Sequence, residues 1–207
     1  MKNKNAILIG SHNPHKIKEI SNLLNEIPVR IKSLLDYPEM KPVKETGQTL
    51  EANALLKAKS YARYTGLFTV ADDTGLEVAA LNGAPGVKSA RYAGKNCSFQ
   101  DNNAKLLRAL KNNLHASARK AKFRTVIACY DPATRAATLV QGFILGRIAT
   151  ELRGSQGFGY DPVFYFPKLK KTLAEMTLLE KNSVSHRFQA IAKAKRIIKK
   201  YVKNTDL

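Results

Sequence analysis

Val70-Ala71-Asp72-Asp73-Thr74-Gly75 sets two carboxylates side by side after an apolar run, Leu67-Phe68-Thr69-Val70-Ala71. The pattern predicts a strand that ends at the aspartates, then a turn in which Gly75 takes a positive φ. Ligands of open α/β sheets gather outside strand carboxyl ends. Two carboxylates there suit a hard divalent cation, which seeks oxygen donors. Aspartate in a turn also commonly accepts hydrogen bonds from its own backbone, so the pair gains meaning only beside other groups.

The second group is a polar loop, Gly10-Ser11-His12-Asn13, between the apolar run Ala6-Ile7-Leu8-Ile9 and a helix. Asn13 can cap that helix and Pro14 fits its first position. Ile17, Ile20, Leu24 and Ile27 then share one face. Unpaired N–H groups at the helix start, with Lys16 beside them, suit phosphate. The segment matches the Walker A pattern only at Gly10 and Lys16. His15 replaces the second glycine, and Ile17 replaces the hydroxyl residue that would hold magnesium. A metal would therefore need carboxylates elsewhere, which directs attention back to Asp72 and Asp73.

Further along, a Pro-containing loop over 36–48 carries Glu39 and Glu45. Thr49 is expected to cap a helix running to Thr65 and stopping before Gly66. Ala54, Ala58, Tyr61 and Ala62 form its apolar stripe. Asn53 and Lys57 share another face at i, i+4, and general grounds make Lys57 a solvated lysine. Gly157-Phe158-Gly159-Tyr160-Asp161-Pro162 combines backbone that a ligand can approach closely with aromatic faces for stacking, or with aromatics that plug the core. Asp161 could accept hydrogen bonds from ring N–H groups. Thr177 and Glu180 form a capping box opening a short helix that carries Lys181. Ser185-His186-Arg187 precedes a final helix with Phe188, Ile191, Ile198 and Tyr201 or Val202 on its buried stripe. Cations at that helix start are disfavoured by its dipole, which hints at anion or base recognition.

The remaining elements are ordinary. Strands are expected over 29–35, 123–130, 137–144 and 145–152, with a hairpin turn at Asp131-Pro132-Ala133-Thr134-Arg135. Ser98 with Asp101 opens a helix over 98–113 whose face carries Leu106, Leu107 and Leu110. The 207 residues are 44% apolar, enough for one domain, 1–207, with a sizeable core and two lobes. Met1–Asn5 is short and polar, and no apolar run nears the length of a secretory core or a membrane span. Cys97 and Cys129 form no CxxC and read as reduced thiols of a cytoplasmic protein. The net charge of +19 predicts attraction to polyanions, although lysines spread along the chain, with dense runs near 119–122, 168–171 and the C-terminal helix, mostly describe a solvated surface.

Ser11-His12-Asn13-Pro14-His15-Lys16, Glu45-Thr46-Gly47, Asn53-Ala54-Leu55-Leu56-Lys57-Ala58, Ala71-Asp72-Asp73-Thr74-Gly75-Leu76, Gly83-Ala84-Pro85-Gly86-Val87, Ser89-Ala90-Arg91-Tyr92, Gly157-Phe158-Gly159-Tyr160-Asp161-Pro162 and Ser185-His186-Arg187 follow one another in that order. Together they resemble the HAM1/RdgB-type purine nucleoside triphosphate pyrophosphatases, the inosine/xanthosine triphosphate pyrophosphatase family, over nearly the whole chain.

The resemblance implies an α/β ITPase-like (Maf/HAM1) fold: a long mixed central sheet with flanking helices and two lobes around a substrate cleft. It implies a homodimer that hydrolyses XTP, ITP and dITP to the monophosphate and pyrophosphate with Mg2+. Ser11, His12, Asn13, Pro14, His15 and Lys16 would hold the triphosphate, helped by Lys57. Asp73 matches the residue assigned as general base or metal ligand, with Asp72 and Glu45 as further metal contributors. Thr74 matches a substrate contact that is often serine. Phe158, Gly159, Tyr160, Asp161, Lys181, His186 and Arg187 match the purine pocket. His15 stands where glycine is common. Ala52 stands where glutamate is common, so that role is lost or moves to Glu51. The rival readings are a Maf-like pyrophosphatase for other nucleotides and a basic nucleic-acid-binding module; in the favoured reading neither a membrane nor nucleic acid is required.

Overall fold

The computed structural model describes residues 6–205. The expectations for Met1–Asn5, and for a domain extending over all of 1–207, reach beyond the described residues. Among the described residues five α-helices and eight strands follow one another. In order they are β1 (Ala6–Ile9), α1 (Pro14–Leu24), β2 (Arg30–Ser33), α2 (Leu50–Thr65), β3 (Phe68–Val78), β4 (Pro85–Gly86), α3 (Phe99–Ala109), β5 (Lys120–Tyr130), β6 (Ala137–Ile148), β7 (Phe164–Phe166), β8 (Lys171–Thr172), α4 (Leu178–Val184) and α5 (His186–Thr205). The strands form one sheet in the order β2-β1-β3-β5-β6-β7-β8, with β4 paired to β3. Its pairings are mixed: β1 lies parallel to β2 and β3, whereas β3–β4, β6–β7 and β7–β8 are antiparallel.

The chain forms two compact units. The first gathers the residues up to Asp73, Thr125–Gly142 and the residues from Arg187 on; the second gathers Thr74–Arg124 and Phe143–His186. In the first unit, side-chain alternation along the strands builds two separate cores. Ile7, Ile9, Phe68 and Val70 pack with Ile20 and Leu24 of α1 and with Ile191, Ala194 and Ile198 of α5. Ala6 and Leu8 point the other way, to Leu34, Met40 and Tyr61 of α2. In the second unit Leu76, Val78, Leu106, Phe123, Tyr160, Phe164 and Leu173 share one core.

The helix starts agree with the sequence. Asn13, Thr49, Ser98 and Thr177 accept backbone N–H groups of the first turns, and Gly66 ends α2 at φ 69°. Three strand assignments change. β3 does not end at the aspartates but runs on through Thr74, Gly75 and Leu76 to Val78. Gly75 is absent from the positive-φ glycines, because the chain there is extended and pairs with β4 through Leu76 and Glu77. β2 is shorter than expected, since Ser33 and Asp36 cap a 3-10 turn where the strand was to continue. The strand expected over 145–152 is the end of β6, which continues unbroken to Ile148.

Arg119 is a correction to the solvated basic run. It is 4% exposed and donates to the backbone oxygens of Ile148 (2.6 Å), Leu110 (2.8 Å), Asn113 (3.1 Å) and Ala149 (2.5 Å). One guanidinium ties together carbonyls after α3 and at the end of β6, of which Leu110 O also accepts Asn113 N–H at 3.0 Å. Arg119→Ala should lower the unfolding free energy by about 3 kcal/mol, because several buried acceptors lose their donor together. Arg119→Lys should rescue little of it, having no planar fork. Urea unfolding of the three proteins measures both effects.

Candidate active site

The consecutive aspartates lie inside β3, so their side chains leave the strand on opposite faces. Asp72 continues the Phe68–Val70 face toward α1 and α5. Asp73 continues the Thr69–Ala71 face toward α2. The aspartates therefore sit within a strand, not at its end, and each has its own cationic partners.

Asp72 is 1% exposed. Its Oδ2 lies 2.9 Å from Lys16 Nζ and 3.7 Å from Arg187 Nη2. Arg187 also donates to Glu19 of α1 through Nη1. Burial alone would raise the Asp72 pKa, but Lys16 and Arg187, with Lys57 behind them, outweigh it and hold the carboxyl far below the usual range. Arg187 is thus buried among carboxylates, not an exposed residue at a helix start. Its α5 position gives the guanidinium access to Asp72, and the acidic partners offset the unfavourable helix dipole.

Asp73 sits against α2. Lys57 Nζ donates to Asp73 Oδ1 at 3.0 Å and to Glu45 Oε1 at 2.8 Å. Asn53 is fully buried; its Oδ1 accepts Gly47 N–H at 2.8 Å and its Nδ2 reaches Asp73 Oδ2 at 3.4 Å. A Cβ on Gly47 would stand 2.6 Å from that Asn53 oxygen, so the glycine permits the loop carrying Glu45 to close on α2. Lys57 is therefore not solvated: it is 8% exposed. Burial would push its ammonium down, yet Asp73, Asp72 and Glu45 together raise it above the ordinary lysine value. Asp73 moves the other way from Asp72. Burial raises its pKa and repulsion from the Glu45 carboxylate adds to the rise, while Lys57 and Lys16 offset it only in part.

The loop before α1 is partly self-satisfied. Asn13 Oδ1 accepts the N–H groups of His15 (2.9 Å) and Lys16 (3.3 Å), and Pro14 has none. Fewer open donors remain than the sequence suggested. Ser11 Oγ accepts Asn13 N–H at 3.2 Å. His12 Nε2 lies 2.9 Å from Met40 O, and its Nδ1 lies 3.4 Å from Tyr61 Oη. A Cβ on Gly10 would meet Tyr61, Ala71 and Thr69 at 3.0–3.2 Å, which packs the start of the loop tightly onto α2 and β3.

In the second unit the glycine-aromatic loop forms another charged cluster. Asp161 Oδ2 accepts Lys181 Nζ at 2.7 Å and Phe158 N–H at 2.9 Å. The ammonium also lies 5.3 Å from the Phe158 ring centroid. Gly157, at φ 77°, could not carry a side chain: its Cβ would fall 2.1 Å from Asp161 Oδ2. Tyr160 plugs the core, with its hydroxyl donating to Ser89 O at 2.9 Å, and only Phe158 of the two rings is left partly exposed. His186 is buried and stacks on Phe123 with centroids 4.2 Å apart and 13° between planes. Asn103 Nδ2 donates to Gly159 O at 2.9 Å. Phe123 and Asn103 escaped the sequence reading: both look like routine strand and helix residues, and only the tertiary fold brings them to His186 and Gly159. Thr74, the residue after Asp73, is partly exposed on β3.

Among the described residues no three His, Cys, Asp or Glu side chains cluster as metal ligands. Magnesium commonly takes one or two carboxylates and keeps waters and substrate phosphates as its other ligands. Glu45 and Asp73, converging on a cation as the Lys57 contacts show, fit that kind of site.

The Ham1 family model matches residues 7–197. The dITP/XTP pyrophosphatase of Thermoanaerobacter pseudethanolicus is 47% identical over 194 residues, covering 94% of this chain and 96% of that protein. The dITP/XTP pyrophosphatase of Elusimicrobium minutum is 46% identical over 197 residues, covering 93% and 99%. A solved HAM1 protein from Coxiella burnetii superposes with a TM-score of 0.85 at 40% identity, covering 94% of this chain and 98% of that one. The Staphylococcus aureus Ham1 protein gives 0.82 at 39% identity, covering 93% and 97%. An α/β protein with a mixed sheet and paired buried carboxylates, this chain belongs to the Ham1 family.

The folded-state pKa of Asp72 is depressed, so its stabilisation is present above the unfolded-state value near ~3.9 and is lost as pH falls through the folded value. Asp72→Asn should cost about 3 kcal/mol at neutral pH, since partly buried Lys16 loses its carboxylate and buried Arg187 keeps only Glu19. The stabilities of variant and parent should converge in acid. Urea unfolding across a pH series measures the gap.

Proposed function

We propose that the protein hydrolyses inosine, deoxyinosine and xanthosine triphosphates to the monophosphate and pyrophosphate, removing them from the nucleotide pool. The observation that carries this reading is the Lys57–Glu45–Asp73 cluster opposite the Lys16–Asp72–Arg187–Glu19 cluster on one strand. It supplies two lysines for phosphate charge and one carboxylate poised to accept a proton. The dITP/XTP names of the relatives support the choice of substrates.

A triphosphate brings about four negative charges, which Lys16 and Lys57 offset by charge-assisted hydrogen bonds. Ser11, His12, Asn13, Pro14 and His15 shape the loop that holds it. Asp73, or a water network bound to these carboxylates, activates a water for attack at the α-phosphorus; the bond to the bridging oxygen breaks and pyrophosphate leaves. Magnesium, held by Glu45 and Asp73, would neutralise phosphate charge and polarise the reacting centre. Asp72 is suited to fixing Lys16 and Arg187, and Thr74 to a hydroxyl contact with substrate. Phe158, partly exposed, is suited to stacking on the purine, with buried His186 behind the loop and Gly159 and Tyr160 shaping it. Lys181 and Asp161 offer one donor and one acceptor to its edge, and Arg187 a further donor. A 6-oxo group would meet these donors, whereas the adenine amino group would leave them unpaired, at a cost in specificity of orders of magnitude.

A homodimer working in the cytoplasm is the expected setting. Among the described residues no helix is long and apolar enough to cross a membrane. Phe143 and Leu145, exposed on one face of β6, are suited to an interface between copies. The Maf-like and nucleic-acid-binding readings are separated by product: incubation with ITP, XTP, dITP, ATP, GTP and dTTP plus magnesium should release monophosphate and pyrophosphate from the first three only. Hydrolysis confined to dTTP or ATP contradicts the assignment.

Asp73→Asn should reduce kcat by about 10³-fold while circular dichroism and melting stay near the parent; near-parental turnover would remove Asp73 from its role.

A further inference from the structure

α5 carries seven Lys and Arg residues and no carboxylate over His186–Thr205. Its apolar stripe, Ala190, Ile191, Ala194, Ile198 and Val202, is buried in the first unit's core. Lys193, Arg196, Lys199, Lys200 and Lys203 all fall on the exposed side. At 3.6 residues per turn these five lie within about 120° of the helix circumference and along roughly 15 Å of its axis. Lys193 donates to a neutral carbonyl, Gln141 O, at 2.7 Å. Lys199 shares Glu26 with Lys195, at 3.2 and 3.3 Å. Among the described residues Arg196, Lys200 and Lys203 have no carboxylate in salt-bridge reach.

We propose that the outer face of α5 is a docking surface for the phosphate backbone of duplex nucleic acid, separate from the nucleotide-hydrolysing site. A narrow, straight stripe of cations complements a rod with one charge per about 1.7 Å of axis. Membrane insertion is disfavoured, because an interfacial helix binds through an apolar face and that of α5 is already used in the core. The contacts are to phosphates only, so binding is sequence-independent. It concentrates the enzyme near nucleic acid without entering the chemistry, and it gives the excess positive charge a task.

The test is fluorescence anisotropy with a labelled duplex of about 20 base pairs, titrated from roughly 50 to 200 mM KCl. The full chain is compared with the triple variant Arg196→Gln, Lys200→Gln, Lys203→Gln. Parent binding should weaken linearly on a log–log salt plot, and the variant's slope should be shallower by about 3, near 0.9 per lost contact. Its affinity at low salt should fall at least about tenfold, while melting temperature and pyrophosphate release from dITP stay unchanged. No duplex binding by the parent, or an unchanged slope in the variant, overturns the proposal. So does α5-dependent binding to phosphatidylserine vesicles without binding to the duplex.

Discussion

Two negative charges buried next to each other on one strand are the constraint that the first unit is built to satisfy. A buried carboxylate without a partner costs several kcal/mol. β3 meets the problem by geometry: alternation sends Asp72 to one face and Asp73 to the other. Each face must then bring its own cation. The α1 and α5 starts supply Lys16 and Arg187, and α2 supplies Lys57. The helix packing that fills the two cores also sets these cations at their carboxylates, so stability and site assembly are one arrangement.

The two compensations differ in completeness, and function follows from the difference. Asp72 faces two cations and stays ionised. Asp73 is buried beside Glu45 with a single ammonium between them, and burial and the Glu45 charge together raise its proton affinity beyond what Lys57 offsets. A carboxylate fully matched by cations makes a good anchor and a poor base; one matched in part can exchange a proton or take up another cation. The second unit repeats the theme at smaller scale, with Lys181 neutralised by Asp161 beside the Phe158 ring.

What was legible in the sequence was local or carried by motif order. Caps at Asn13, Thr49, Ser98 and Thr177 depend on hydrogen bonds within three residues, and all formed as read. The mixed sheet and the family followed from the resemblance. Pairings between distant residues were not legible. Lys57 looked solvated because nothing in its own helix reveals Asp73 or Glu45 across the fold. Arg119 looked like part of a basic run because its acceptors are backbone carbonyls, which no side-chain pattern encodes. The turn expected after Asp73 failed for a related reason: two aspartates and a glycine disfavour a strand locally, but pairing with neighbouring strands and buried cations overrides that preference. Phe123 joined His186 only through tertiary packing.

The most direct test of this division of labour is carboxyl ¹³C NMR of the metal-free protein through an acid titration. Asp73 should titrate above the ordinary aspartate value of about 3.9 and Asp72 well below it. Coincident midpoints, or the reverse order, would contradict the assignment of the two aspartates to opposite faces with separate cations.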